Sequence, residues 1–170
     1  FALAPYYPLA YFKGDQTTVA SLDEGRQRGL VRLIRVQFLK RFESSITAFE
    51  QSCQNLLLKL LAFLKVNGET PGEKTRLEKW QTRHEELLAH IRNRRLELSD
   101  EDEAEENEEE LADEFAGHFT PLVRESYNLD EIFADTYGDL DTLVQFLEEL
   151  KRLTPEHDDK LKALVGRDAA

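Results

Sequence analysis

The feature that most constrains this chain is an apolar period that runs from Leu30 to Val66 without interruption. Apolar side chains recur every three or four residues, which is the spacing of one face of an α-helix. They are Leu30, Ile34, Phe38, Phe42, Ile46, Phe49, Cys53, Leu57, Leu60 and Leu64, and a second set widens the stripe: Leu33, Val36, Leu39, Leu56 and Leu61. Because the range contains no proline or glycine, the period predicts one helix of about 40 residues, roughly 60 Å long.

Local signals bound this predicted helix at both ends. Ser21 to Glu24 has the Ser-x-x-Glu order of a capping box, so we expect the helix to span 22–66. Ser44-Ser45 is the only candidate for a kink. Asn67-Gly68 should end the helix, since both residues tolerate the left-handed cap conformation.

The remaining segments read as shorter helices around this rod. The apolar period returns after Pro71-Gly72 and again after a polar, acidic stretch, and no stretch alternates in the manner of a strand. We therefore predict a single all-α domain, an antiparallel helical bundle built on one long N-terminal helix with an acidic flexible loop. The expected parts are a strap at 1–21, the long helix at 22–66, a second helix at 73–98, an acidic linker at 99–110, further helices at 111–153, and the start of a next element at 155–170.

Charge is distributed very unevenly along the chain. The range 97–114 holds twelve Asp and Glu and no Lys or Arg, which equals the whole net charge of −12. The range 26–41 holds six cations and no acid, namely Arg26, Arg28, Arg32, Arg35, Lys40 and Arg41. Such a patch could neutralise phosphates or meet an acidic partner surface, or it could be the solvated face of an amphipathic helix.

Three motifs that suggest chemistry fail on spacing. Residues 68–75 (GETPGEKT) resemble a phosphate-binding loop, but Glu73 separates Gly72 from Lys74 and no buried strand precedes it. The acidic run lacks the glycine of a calcium loop. Two Glu/His pairs at four-residue spacing do not match the repeated three-residue spacing of bundle di-metal sites, so a metal-dependent enzyme is a minor hypothesis; the pairs are Glu86 with His90 and Glu114 with His118.

The composition favours a cytoplasmic protein. The longest apolar stretch, 56–66, is interrupted by two lysines and is too short to cross a bilayer, so we expect no membrane contact. The single cysteine, Cys53, excludes an internal disulfide, and its place in the apolar stripe predicts a buried thiol in a reducing compartment. No Ser/His/Asp or Cys/His constellation can be assembled, so we predict no catalytic residue, no metal and no cofactor in this chain.

Two strings resemble segments of bacterial Swi/Snf-type ATPases, the helicase-like motors with two RecA-like lobes. Residues 39–49 read LKRFESSITAF, similar to a string on a long helix between the lobes of that family. Residues 157–164 read HDDKLKAL, similar to a helix that precedes the first strand of the second lobe. The two strings stand in the family's order and cover about a tenth of the chain.

The resemblance implies that this chain is the non-catalytic helical region between the lobes of a longer, ATP-dependent parent. It implies that ATP and Mg²⁺ belong to the parent's lobes, and that those lobes, with double-stranded DNA as a further candidate, are the partners. The residues it places at the lobe or duplex contact are Lys40, Arg41, Glu43 and Ser44, with Arg28, Arg32 and Arg35 extending the same surface. The alternative is a stand-alone helical interaction module whose acidic loop docks a basic partner.

Overall fold

The structure of the protein, a computed structural model, describes residues 1–14, 21–98 and 119–168, with side chains at 1–14, 23–94 and 119–153. Within these ranges the chain forms five α-helices and no β-strand, which confirms the predicted all-α class. The helices are α1 (Ser21–Ser44), α2 (Ile46–Asn67), α3 (Pro71–Arg83), α4 (Glu85–Leu98) and α5 (Leu129–Asp168), preceded by two 3-10 turns at Ala4–Tyr6 and Pro8–Tyr11. The predicted acidic linker at 99–110 lies outside the described residues.

The single long helix predicted at 22–66 is wrong, because the chain breaks at Ser45. This residue has extended backbone angles (φ −160°, ψ 131°), and its hydroxyl accepts a hydrogen bond from the Ala48 amide at 3.3 Å. The Ser45 amide still donates to the Arg41 carbonyl at 2.9 Å, so one residue both closes α1 and caps α2. A serine hydroxyl offers the backbone this alternative to a continuous helix.

The chain turns back on itself at this break. The ring centroids of Phe38 and Phe49 lie 5.9 Å apart, and those of Phe42 and Phe49 lie 5.1 Å apart. In a continuous helix, Phe38 and Phe49 would be separated by about 16 Å along the axis, at 1.5 Å per residue. α1 and α2 therefore form a helical hairpin rather than a rod.

The core lies around α2, which packs against α5 on one side and α1 on another. Cys53, Leu57 and Leu60 of α2 are fully buried, as are Ile132 and Leu140 of α5. α3 and α4 complete the bundle through a further set of buried side chains: Leu77, Trp80, Leu88 and Ile91. The prediction that Cys53 is a core thiol is confirmed, and burial raises its pKa to about 12, with the nearby charge of Glu50 adding to the shift.

The second predicted helix, 73–98, is also divided. It begins at Pro71, where Thr70 and Glu73 form a capping box, and it breaks at His84 (φ −111°, ψ 27°) into α3 and α4. α2 ends at Asn67 as predicted, but not by a left-handed cap, since Gly68 has φ −77°. Gly68 is needed there because a Cβ would lie 2.8 Å from the Leu64 carbonyl oxygen.

The last helix does not follow the predicted division into further helices at 111–153 and a next element at 155–170. It begins at Leu129, with Asp130 and Glu131 in its first turn, where acidic side chains stabilise the positive end of the helix dipole. It then continues through Pro155 to Asp168. A proline removes one internal hydrogen bond, which a helix with turns on both sides of it can tolerate.

The N-terminal strap packs across α1 and α5. Leu3 and Ala4 are fully buried, and Leu3 has a positive φ of 53°. The Asp139 carboxylate accepts hydrogen bonds from the backbone amides of Ala2 at 2.8 Å and Leu3 at 2.7 Å. One buried side chain of α5 thus holds the start of the chain in an unusual backbone conformation.

Candidate functional site

All seven residues predicted to contact a lobe or nucleic acid lie on α1. Lys40, Glu43 and Ser44 are exposed near its C-terminal end, and Arg41 is half-buried there. The Ser44 hydroxyl donates to the Arg41 carbonyl at 3.2 Å. The segment similar to the Swi/Snf string therefore occupies the turn between α1 and α2, with its first half exposed and Phe49 in the core.

Three of the five arginines in the predicted patch, Arg28, Arg32 and Arg35, differ in their contacts. The Arg28 guanidinium donates to Glu24 at 2.8 Å and to the Tyr7 hydroxyl at 3.4 Å, while Arg35 donates to the Phe1 carbonyl at 2.6 Å. Both hold the strap against α1. Arg32 is exposed. The predicted basic surface thus serves partly as a structural clamp within the domain, which the charge pattern could not reveal.

α1 is apolar on two opposite sides. Val31 is buried, and Ile34 and Phe38 are half-buried against the strap and α2. Three apolar side chains are exposed on the opposite side; we call them the outer ridge, and they are Leu33 (39% exposed), Val36 (40%) and Leu39 (64%). Phe42 is also exposed (57%), but it lies about 180° around the helix from Leu33, beside the core side. Phe42 was expected in the buried stripe. The break at Ser45 ends α1 just past Phe42, so that its ring contacts Phe49 at the edge of the core instead of entering it.

The residues that resemble a phosphate-binding loop form a helix cap. The Thr70 hydroxyl accepts from the Glu73 amide at 3.2 Å, and the Glu73 carboxylate accepts from the amides of Glu69 at 3.0 Å and Thr70 at 3.4 Å. The amides that would have met phosphates are therefore occupied by the chain's own side chains. This agrees with the conclusion from spacing that residues 68–75 are not a phosphate-binding loop.

Arg124 forms a set of contacts that the sequence did not predict, which we call the Arg124 clamp. Its guanidinium donates to Glu69 at 3.1 Å, to Glu73 and to the Asn67 carbonyl at 3.2 Å, while the Asn67 side chain accepts from the Leu122 amide at 2.8 Å. Segment 119–128 is thereby fixed to the α2–α3 turn. The only local signal was an isolated arginine in an irregular segment, and its partners lie more than 50 residues away.

Among the described residues, no three His, Cys, Asp or Glu side chains come close enough together to hold a metal ion. Glu86 and His90 are both exposed on α4, whereas Glu114 and His118 lie outside the described residues. Burial and hydrogen bonding to Asp135 raise the pKa of Tyr11, and this hydroxyl joins the strap to α5 rather than lining a cavity.

Comparisons with protein-family models, with curated proteins and with solved structures found no match to this chain. In the described ranges, every helix falls short of the combined length and apolarity that crossing a membrane requires.

Proposed function

We propose that this chain is a non-catalytic helical accessory domain of a Swi/Snf-type nucleic-acid-dependent ATPase, situated between its two RecA-like lobes and positioning them. In this proposal the parent is a helicase-like hydrolase, and ATP and Mg²⁺ bind the lobes, not this chain. The cytoplasm is the corresponding location.

One observation carries the proposal. The string that resembles the family, residues 39–49, lies at the α1–α2 turn rather than on the single long helix that the resemblance implies. At this turn Leu39, Lys40 and Phe42 are exposed, and Phe49 anchors the turn in the core. A rigid turn with an exposed tip is suited to contact a second body and to transmit its position. A string that served core packing alone would have no reason to be exposed in its first half.

The packing of the turn explains how it could transmit position. Phe49 contacts Phe38, Phe42 and Phe146, with centroids between 5.1 and 6.0 Å, so α1, α2 and α5 share one aromatic cluster. Aromatic ring pairs contribute about 0.5–1.5 kcal/mol each beyond the area that they bury, so the cluster links the three helices energetically. A force on the tip of α1 would therefore move α2 and α5 with it.

The resemblance implies two candidate partners, a motor lobe and duplex DNA, and the contacts of α1 favour the lobe. DNA binding depends on cations free to neutralise phosphates, and Arg28 and Arg35 are engaged with the strap. Duplex DNA, the other candidate partner, is therefore not part of the proposal.

The reading frame on both sides of residues 1–170 gives the first test. Alternating strand-helix patterns with a nucleotide-binding loop before, and an arginine finger after, are expected. A frame without them would refute the proposal.

The second test is enzymatic and uses the full-length parent. Inserting two glycines between Ser45 and Ile46 should leave basal ATP hydrolysis intact and lower the DNA-stimulated rate by about ten- to a hundredfold, since small misplacements of reacting groups cost this much. The matched control is the same insertion within 99–110, the sequence-predicted linker, which should leave both rates unchanged. An unchanged stimulated rate in the Ser45 variant would exclude a positioning role.

A further inference from the structure

The outer ridge of α1 is more apolar than a solvated helix face should be. Leu33, Val36 and Leu39 follow each other at three-residue steps and lie within about 120° of one another around the helix, so each side chain adjoins the next. Single exposed apolar residues are ordinary, whereas a contiguous row on one helix is not.

The opposite side of the same helix is already covered. Val31 is 6% exposed, and Ile34 and Phe38 pack against the core. An amphipathic surface helix needs only one apolar side, and a helix that is apolar all round lies between two layers. Within the described residues α1 has one such layer, made by the strap and α2.

The charges beside the outer ridge indicate which kind of surface would cover it. Arg32 and Lys40 are exposed beside the outer ridge, and from Arg26 to Phe42 the chain has no acidic residue. The complementary surface is apolar at its centre with carboxylates at its rim. Duplex DNA does not fit, because its phosphate surface would leave the apolar side chains facing a hydrated polyanion.

We propose that the outer ridge docks a folded protein surface with an apolar centre and a carboxylate rim. That this surface belongs to a motor lobe of the parent rests on the proposed function. That it has an apolar centre and a carboxylate rim follows from the side chains of α1 alone. Leu39, the most exposed member, enters the partner's apolar centre, and Arg32 and Lys40 pair with the rim.

Thiol labelling of the full-length parent tests the docking directly. Leu39→Cys and, as the matched control, Thr82→Cys on the exposed side of α3 are alkylated with a maleimide, and each site is read separately by peptide-resolved mass spectrometry. Cys53 is fully buried and should stay unlabelled, which shows that the domain is folded. We expect the thiol introduced at position 39 to react at least about tenfold more slowly than the one at position 82, as for a site open less than a tenth of the time.

Charge reversal then tests the rim. Arg32→Glu with Lys40→Glu, added to Leu39→Cys, should raise the labelling rate of position 39 to near that of position 82. Protection that survives the reversal would refute the carboxylate rim. Equal rates at positions 39 and 82 without the reversal would refute docking altogether.

Other occupants give distinct results, and each would overturn the proposal. Protection that appears only on adding duplex DNA assigns the ridge to nucleic acid, and protection lost on dilution assigns it to a second copy. Protection lost when the acidic residues of 100–110 are replaced by serine assigns it to this chain's own acidic segment. Failure of the proposed function is seen separately, in a reading frame that encodes no lobes.

Discussion

The Asp139 carboxylate should be the single side chain whose loss most loosens the N-terminal strap. It is 5% exposed and accepts from the amides of Ala2 and Leu3 at 2.8 and 2.7 Å. In Asp139→Asn one oxygen can still accept, but the new NH₂ faces a backbone N–H, and that donor loses its partner. A hydrogen bond to a charged group contributes about 1.5–3 kcal/mol, and an unsatisfied buried donor costs a similar amount.

We therefore expect Asp139→Asn to lower the free energy of unfolding by about 2–3 kcal/mol. For a chain of this size, that corresponds to a fall in Tm of roughly 4–12 °C. Circular dichroism at 222 nm during thermal and urea unfolding measures the global effect. Hydrogen exchange of the N-terminal peptide measures local release of the strap, which can precede global unfolding.

The matched control is Glu148→Gln, which removes an exposed carboxylate from the same helix and should change stability by less than about 0.5 kcal/mol. If Asp139→Asn leaves both Tm and the exchange of residues 2–6 at the values of the control, the carboxylate does not hold the strap and the reasoning fails.

Three further changes test the turns and the core. Ser45→Ala removes the α2 cap and should cost about 0.5–2 kcal/mol in urea unfolding, while Ser44→Ala should cost less than half of that; equal losses would contradict the cap. Arg124→Met should lower the free energy of unfolding by about 1–2 kcal/mol, measured by thermal unfolding. The control Arg83→Met, on the exposed side of α3, should have a negligible effect. If Arg124→Met is neutral too, segment 119–128 is held by its apolar contacts alone. Because the pKa of Cys53 rises from 9.0 to about 12 on folding, its contribution to stability is complete below pH 9 and is lost as the pH rises. In urea unfolding, wild type should therefore lose about 1.4 kcal/mol more than Cys53→Ala between pH 7 and pH 10, and parallel pH profiles would contradict the burial of a neutral thiol.

Local patterns predicted the helices better than their ends. The stripe of Phe49, Cys53, Leu57, Leu60 and Leu64 is buried along α2 as its spacing requires. Ser44-Ser45 was the predicted position of a kink, but a reversal of the chain there was not predicted, and the break at His84 was missed. Helical periodicity continues through both positions. A serine cap stabilises the start of a new helix by only about 0.5–2 kcal/mol. The local sequence therefore does not decide clearly between a capped break and a continuous helix.

The structure shows where the residues of the candidate site lie, whereas their contact with a lobe or with nucleic acid stays a prediction. The exposed segment at Lys40, Glu43 and Ser44 follows from the resemblance, and the structure places it on a turn. That Arg28 and Arg35 hold the strap could not be predicted, since their partners Tyr7 and Phe1 are 21 and 34 residues away. The outer ridge could not be separated from the core stripe either, because both are apolar at helical spacing.

The sequence by itself determined that this chain is helical, that α2 is buried along one side, and that residues 68–75 are a turn and not a phosphate site. These properties depend on near neighbours, at three or four residues, which periodicity and capping describe. Only the tertiary structure decided that α1 folds back on α2, that Asp139 holds residues 2 and 3 across 136 or more positions, and that the outer ridge of α1 is exposed among the residues described. Such contacts depend on which surfaces meet, and no local pattern encodes the choice between two apolar faces of one helix.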